Sequence, residues 1–364
     1  ETPLPAKRTS PLFSKGDLVL VSGGARGVTA AVVNELAKRT QPTLLLLGRS
    51  VPLDADPAWA VGHSDDDLKS AFVNATTKPV TPKLVNQETK TVIASREVRA
   101  NISAIEKAGA TVNYTALDVR DADAVGAAVK KAEKRHGPVR GIIHAAGVLA
   151  DKLVTDKTPD QFDLVFSTKV TGLDALLNAV NIDDLVLVSV FSSVAGRFGN
   201  QGQCDYAMAN EAITQRILSL PEHVVTRAFD WGPWDGGMVT PALKRAMRGR
   251  GLSLIDLTLG ADFFNDEIES AQGRAEVVVG GQFPRHRLLH QRDRSERKPI
   301  RLTLIPTLFL PITRSTMSQF CQLRWCWSGC PKQPQRLTHI YTCTPSRTSV
   351  YCVVSKCPKC EQST

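Results

Sequence analysis

An apolar strand that runs straight into a glycine-rich turn and then a helix constrains this chain more than any other stretch. Leu18–Ser22 is the strand, Gly23 and Gly27 punctuate the segment SGGARGVT (Ser22–Thr29), and the helix runs to about Arg39. Glycine lets the backbone turn sharply and approach a neighbouring group closely, and the helix N-terminus that follows attracts an anion such as a pyrophosphate. The turn is looser than a G-x-G-x-x-G pattern, with Thr29 where a third glycine is common.

The rest of the chain repeats the alternation. TLLLL (Thr43–Leu47) is a second buried strand, and Val51–Thr91 is a polar insertion containing Asp and Pro. The apolar spacing of Val92, Ile93, Val98, Ile102 and Ile105 predicts a helix over Val92–Ala108. Strands are expected at Val112–Val119, Val139–His144, Leu185–Phe191, Val224–Phe229 and Glu276–Val279. Helices are expected at Asp121–His136, Pro159–Val180 and Gln203–Leu220, with one more helical stretch before the last strand. Continuous apolar strands separated by helices predict a parallel sheet covered on both faces, a doubly wound, Rossmann-like α/β fold. The organisation expected is a linker over residues 1–17, a body over 18–281 with the insertion at 51–91, and a disordered, basic, Cys-rich tail over 282–364.

Charge is segregated. Residues 291–364 hold 12 Lys/Arg against 3 Asp/Glu, which leaves 33 of each sign in residues 1–290 of a chain whose net charge is +9. The neutral body argues against nucleic acid or an anionic membrane surface as a partner. Cysteine is segregated too, with Cys204 in the body and seven others between Cys321 and Cys360. One thiol in the body fits a reducing, cytoplasmic compartment. No signal peptide is visible, and LTLIPTLFLPI is too short and proline-broken to span a bilayer. The first residue is Glu1, so the chain is expected to be a piece of something longer.

At the turn end, Gly23, Gly24, Arg26, Gly27 and Val28 are the candidate contacts to a dinucleotide. The second strand ends in Gly48–Arg49–Ser50 where an acidic residue would accept from a ribose 2′-hydroxyl; Arg49 would pair instead with a 2′-phosphate, which favours NADPH. Asp118 and Val119, read as the end of the third strand, would lie by an adenine, and Ala145 and Gly147 of HAAG would let the cofactor lie close. At the other end, Tyr206 and Asn210 are four apart on one helix face, and Ser193 follows the preceding strand. Carbonyl reduction needs a proton donor to the developing alkoxide and a second donor to hold the oxygen. Tyr206 is the natural acid, Ser193 the second donor, and Lys169 the cation to tune the phenol, with Asn210 supporting Lys169 or a water relay.

Taken together, SGGARGVT, LLLLGRS, LDVRD, HAAGVLAD, STKVTGLDAL, FSSVAGRFGNQGQCDYAMAN and FDWGPWDGGMV make the chain resemble a ketoreductase domain, of short-chain dehydrogenase/reductase type, from polyketide and polyunsaturated-fatty-acid synthases. The resemblance covers roughly Leu18–Gly281, including the insertion, and Lys169 upstream with Asn210 four after the tyrosine matches that family's arrangement. It implies NADPH-dependent reduction of a β-ketoacyl thioester held on the phosphopantetheine of an acyl carrier protein, with other synthase domains as partners. Such synthases also place a degenerate structural half before the catalytic one. Leu149–Ala150–Asp151 stands where these domains often carry LDD, so Asp151 is a substrate-side candidate; WGPWDGGMV resembles the substrate-side loop and adds Gly236, Gly237 and Met238. Two other readings stay open: a free-standing reductase of a small carbonyl compound, and a non-catalytic remnant of a multidomain synthase.

No metal is expected. Cys357 and Cys360 form the chain's one CxxC, whereas zinc knuckles need paired ligands at repeated spacing. The abrupt change of composition suggests a shifted reading frame instead. Joining the third base of each codon to the first two of the next forces valine at Trp325–Cys326 and leucine at Phe320–Cys321 and at Cys326–Trp327. Codon choices over Pro306–Pro334 then permit a string with the HxxxxxxxxP spacing of a hot-dog dehydratase. A frameshift between about Gln282 and Pro306 is therefore expected, making the tail an out-of-frame dehydratase remnant.

Overall fold

A computed structural model describes residues 11–77, 79–237, 241–249, 253–270, 275–280, 341–344 and 347–350. The chain divides into two compact units, Glu1–Leu288 and Leu289–Thr364. In the first, strands β1 (Leu18–Ser22), β2 (Thr43–Gly48), β3 (Thr111–Ala116), β4 (Val139–His144), β5 (Leu187–Ser193), β6 (Val225–Trp231) and β7 (Glu276–Val279) make one sheet in the order β3-β2-β1-β4-β5-β6-β7. Every pairing is parallel. The helices are α1 (Gly27–Thr40), α2 (Leu68–Ala75), α3 (Pro82–Lys107), α4 (Ala122–His136), α5 (Pro159–Asn178), α6 (Val194–Phe198), α7 (Cys204–Leu218), α8 (Pro241–Gly249) and α9 (Leu257–Ile268). This is the doubly wound, Rossmann-like sheet that the strand pattern predicts.

The strands read as unbroken apolar runs because both faces are covered. Val19, Val21, Leu44 and Leu46 point into a core shared with Val32, Val33 and Leu36 of α1, Val98 and Ile105 of α3, and Phe264 of α9. Leu18, Leu20, Leu45 and Leu47 point the other way, against Val125 and Val129 of α4, Leu173 and Leu176 of α5, and Ile213 and Ile217 of α7. The reversal in strand order beside β1 puts the turn Gly23–Gly27 at the carboxyl edge of the sheet, where open α/β sheets bind ligands.

Residues 51–91 hold more structure than their polarity suggests. Residues 68–75 are helical, and α3 starts at Pro82, ten residues before the helix expected from periodicity. Thr81 caps it by accepting the Leu84 N–H at 3.2 Å, and Pro82 suits the first helical position. The insertion also has a small core of Ala60, Leu68 and Val92, with Trp59 edge-on to Phe72 at 5.0 Å. The third strand ends at Ala116, before Asp118 and Val119, because the chain turns there (Asp121 N–H to Asp118 C=O, 3.0 Å) and Asp121 then caps α4.

In the second unit, Tyr341–Thr344 pairs antiparallel with Arg347–Val350. The rest of residues 281–364, and with it the Cys357–Cys360 pair and the reading-frame expectation, lies outside the described residues, as does Met238. No helix among the described residues is long and apolar enough to cross a membrane.

Candidate active site

The catalytic candidates come from β5 and from two helices, α5 and α7, that pack beside it. Ser193 is the last residue of β5 and also the N-cap of α6, where its Oγ accepts the Ala195 N–H at 3.1 Å. Tyr206 and Asn210 lie on α7, one turn apart, and the Asn210 Nδ2 donates to the Tyr206 carbonyl at 2.7 Å. Lys169 comes from α5, buried, with its Nζ donating to the Phe191 carbonyl at 2.8 Å and standing 5.7 Å from the centre of the Tyr206 ring.

The electrostatics differ from a simple ammonium–phenolate pair. Burial raises the Tyr206 pKa, while hydrogen bonding to Asn210 and Ser193 pulls the other way and Asp151 adds to the rise. Burial lowers Lys169 to about 7. Tyr206 is therefore a phenol at neutral pH, the form an acid needs, and Lys169 exchanges its proton close to neutrality. The cation faces the tyrosine ring, and its hydrogen bond goes to backbone. Asn210 Oδ1 is buried and finds no hydrogen-bond partner among the described residues.

The sequence left an entire supporting network unassigned. His144, at the end of β4, accepts from the Ser22 hydroxyl at Nδ1 (2.7 Å) and donates from Nε2 to the Lys169 carbonyl (2.9 Å). Burial, with Lys169 adding to the effect, holds His144 neutral with a pKa of about 3. Ser22 Oγ in turn accepts the N–H groups of Ala145 and Ala146, each at 3.2 Å. One imidazole thus ties the end of β1, the HAAG turn and the helix carrying Lys169. Lys157 and Asp205 form a second link, a 2.6 Å ion pair with side chains 3% and 1% exposed. Lys157 also donates to the Ala150 carbonyl at 2.7 Å, and the other Asp205 oxygen accepts the Tyr206 N–H at 2.9 Å. Asp151 accepts from Gln203 Nε2 at 2.9 Å, so the Ala150–Asp151 segment is bound to the start of α7 twice over.

At the turn, Gly23 has φ +75°, and a Cβ there would sit 3.2 Å from the Ala146 nitrogen and 3.3 Å from the Ala145 carbonyl. Gly27 has φ +60°, and its missing Cβ leaves room for Gly237 Cα at 3.4 Å. Gly236 packs against Leu257. Gly24 and Val28 complete the turn, and α1 begins without a side-chain cap of its own. Arg49 is exposed just past β2, and its charge helps to hold Asp118 below the usual carboxylate range, after the larger effect of the Arg120 hydrogen bond. Asp118 is thus near Arg49 but engaged by Arg120, in the turn after β3 and not at its end. Val119 is buried and clusters with Val125 and Val129 of α4. Ala145 and Gly147 follow β4, and the Ala145 N–H reaches Ser22 Oγ at the start of the turn.

Asp230 is a further buried acid, raised to about 7 by burial and by Glu276 and Glu211, against the hydrogen bond of Ser192. Because its folded pKa lies above the unfolded value, the charged form costs stability increasingly from about pH 4 to 7 and by a constant amount above. Asp230→Asn is expected to stabilise the protein at pH 8 by on the order of 1–3 kcal/mol, the gain vanishing towards pH 4. Urea unfolding at several pH values checks this, and a pH-independent difference would contradict it.

Residues 18–236 match the model of the KR domain family. A component of the polyunsaturated fatty acid synthase from Thraustochytrium sp. is 42% identical over 280 residues, which are 74% of this chain and 10% of that relative. The chain therefore corresponds to a small part of that relative's length. A solved ketoreductase domain from the bacillaene assembly line is 28% identical with a TM-score of 0.54, over 72% of this chain and 55% of that one. A short-chain dehydrogenase from Burkholderia cenocepacia, solved in complex with NADP, shares the fold at 17% identity and a TM-score of 0.55, over 73% of this chain and 97% of its own.

Proposed function

Because this chain belongs to the KR domain family, we propose that it reduces the ketone of a β-ketoacyl thioester, carried on the phosphopantetheine of an acyl carrier protein, to the β-hydroxyacyl product with NADPH. The observation that carries the reading is the gathering of Ser193, Tyr206 and Lys169 at the carboxyl edge of the sheet that also holds the turn Gly23–Gly27.

The residues at the turn fit a dinucleotide. The space that a Cβ at Gly23 would fill, the N-terminus of α1, which has no cap from its own N-cap residue, and the guanidinium groups of Arg26 and Arg49 suit phosphate groups. Bound there, a nicotinamide cofactor supplies the hydride. Tyr206 gives its hydroxyl proton to the oxygen of the reduced carbon, and Ser193 Oγ donates a hydrogen bond that holds that oxygen. Lys169, with a pKa of about 7, stabilises the tyrosinate left behind and, with Asn210, returns a proton to it. Asp151 and the Gly236–Gly237 loop flank the acyl chain, and the other domains of a parent synthase would present the carrier.

The full chain is tested by following NADPH oxidation with a β-ketoacyl-pantetheine thioester beside a simple ketone. Turnover of the thioester at least tenfold above the simple ketone is expected. Equal turnover of both would favour a free-standing small-carbonyl reductase. A folded chain that binds NADPH yet turns over neither substrate would overturn the catalytic reading.

A further inference from the structure

The turn that suits a phosphate already holds an anion from within the chain. Glu97, on helix α3, accepts the Gly27 N–H at 2.7 Å through one oxygen and Arg26 Nε at 2.7 Å through the other. One helical turn on, Asn101 Nδ2 donates to the Ala25 carbonyl at 3.0 Å. Three consecutive residues of the turn are thus gripped by one face of α3. That helix is itself fastened to the insertion: Arg96 and Arg99 both bind Asp56, at 2.6 and 2.5 Å, and Arg99 donates to the Leu53 carbonyl at 2.6 Å. A carboxylate on the first N–H of a helix and on a neighbouring guanidinium satisfies the donors that a phosphate oxygen would take. The Arg26–Glu97 pair is also half-exposed, at 46% and 35%, so its exchange for another anion needs no unpacking of the core.

We infer that Glu97 is an internal competitor for the cofactor's phosphate, so that α3, braced by the insertion, sets how tightly the dinucleotide binds. The inference rests on the proposal that this turn holds a nicotinamide dinucleotide. A phosphate that takes Gly27 N–H and Arg26 must displace the carboxylate or lie against its charge, and either lowers affinity. Glu97→Gln keeps an acceptor for Gly27 N–H and the shape of the side chain while removing the charge.

The test is binding of NADPH and NADH to the full chain, followed by nucleotide fluorescence without substrate. Glu97→Gln is expected to lower the NADPH Kd about tenfold. If NADH is unchanged, the competition is with the 2′-phosphate; if NADH tightens equally, it is with the pyrophosphate. An unchanged or weaker NADPH affinity in a folded variant overturns the inference while leaving the proposed function standing. Wild-type protein that is folded but binds neither nucleotide overturns both. Should Glu97→Gln not fold, Glu97→Asp, which withdraws the charge by one methylene, is expected to tighten NADPH about threefold, and no change there overturns the inference as well.

Discussion

Tyr206→Phe is expected to lower turnover of a β-ketoacyl-pantetheine thioester by about 10²–10⁴-fold while leaving the fold and NADPH binding intact. The hydroxyl is the group removed, and burial holds it in the protonated state below its raised pKa, so the variant loses the proton that the phenol carries at neutral pH. The neighbouring Ser193 hydroxyl is far too weak an acid to substitute. The ring itself stays, so Lys169 Nζ keeps the face it occupies 5.7 Å from the centroid. The check is kcat and KM for both proteins beside NADPH binding by fluorescence. A loss confined to KM, with kcat unchanged, would assign Tyr206 to substrate binding instead of proton transfer.

Lys157→Met is expected to destabilise the protein by about 3–5 kcal/mol, because it strands Asp205 as a buried, uncompensated charge. The pair is 2.6 Å apart with both side chains almost fully covered, so water offers Asp205 little replacement. The loss should register as a drop in Tm of roughly 10 °C or more. The double variant Lys157→Met, Asp205→Asn is expected to recover part of it, since no charge is then left buried. Thermal and urea unfolding of the three proteins check this; a single variant within about 0.5 kcal/mol of wild type would mean that the site relaxes to admit water. Because Asp205 also fixes the Tyr206 N–H and Lys157 the Ala150 carbonyl, the single variant should also lose activity at temperatures where it remains folded.

These two residues mark the divide between what was legible in the sequence and what was not. Tyr206 stands in a short motif whose meaning is local: with Asn210 one helical turn away and Ser193 at the end of the preceding strand, spacing alone puts them on adjoining elements. The unbroken apolar strands predict the two-sided sheet for the same reason, since Leu18 and Val19, or Leu44 and Leu45, serve opposite faces of one strand. Lys157 carries no such mark. Its partner is 48 residues away, and a lysine before a helix reads as solvated until α5 and α7 are packed together. The insertion misleads in the opposite direction: its polar residues hide a capped helix, and Asp56 is held by Arg96 and Arg99 farther along α3, not by apolar burial.

By itself the sequence determined the succession of sheet strands, most of the helices between them and the glycine turn, because periodicity and short spacings act within one or two elements. Only the tertiary structure decided their electrical state and company. Burial brings Lys169 to about 7 and keeps His144 neutral, and chain segments 70 and 122 residues apart meet at Gly27–Glu97 and Ser22–His144. Desolvation and long-range contact exist only once the sheet has closed over both faces, and no local pattern encodes them.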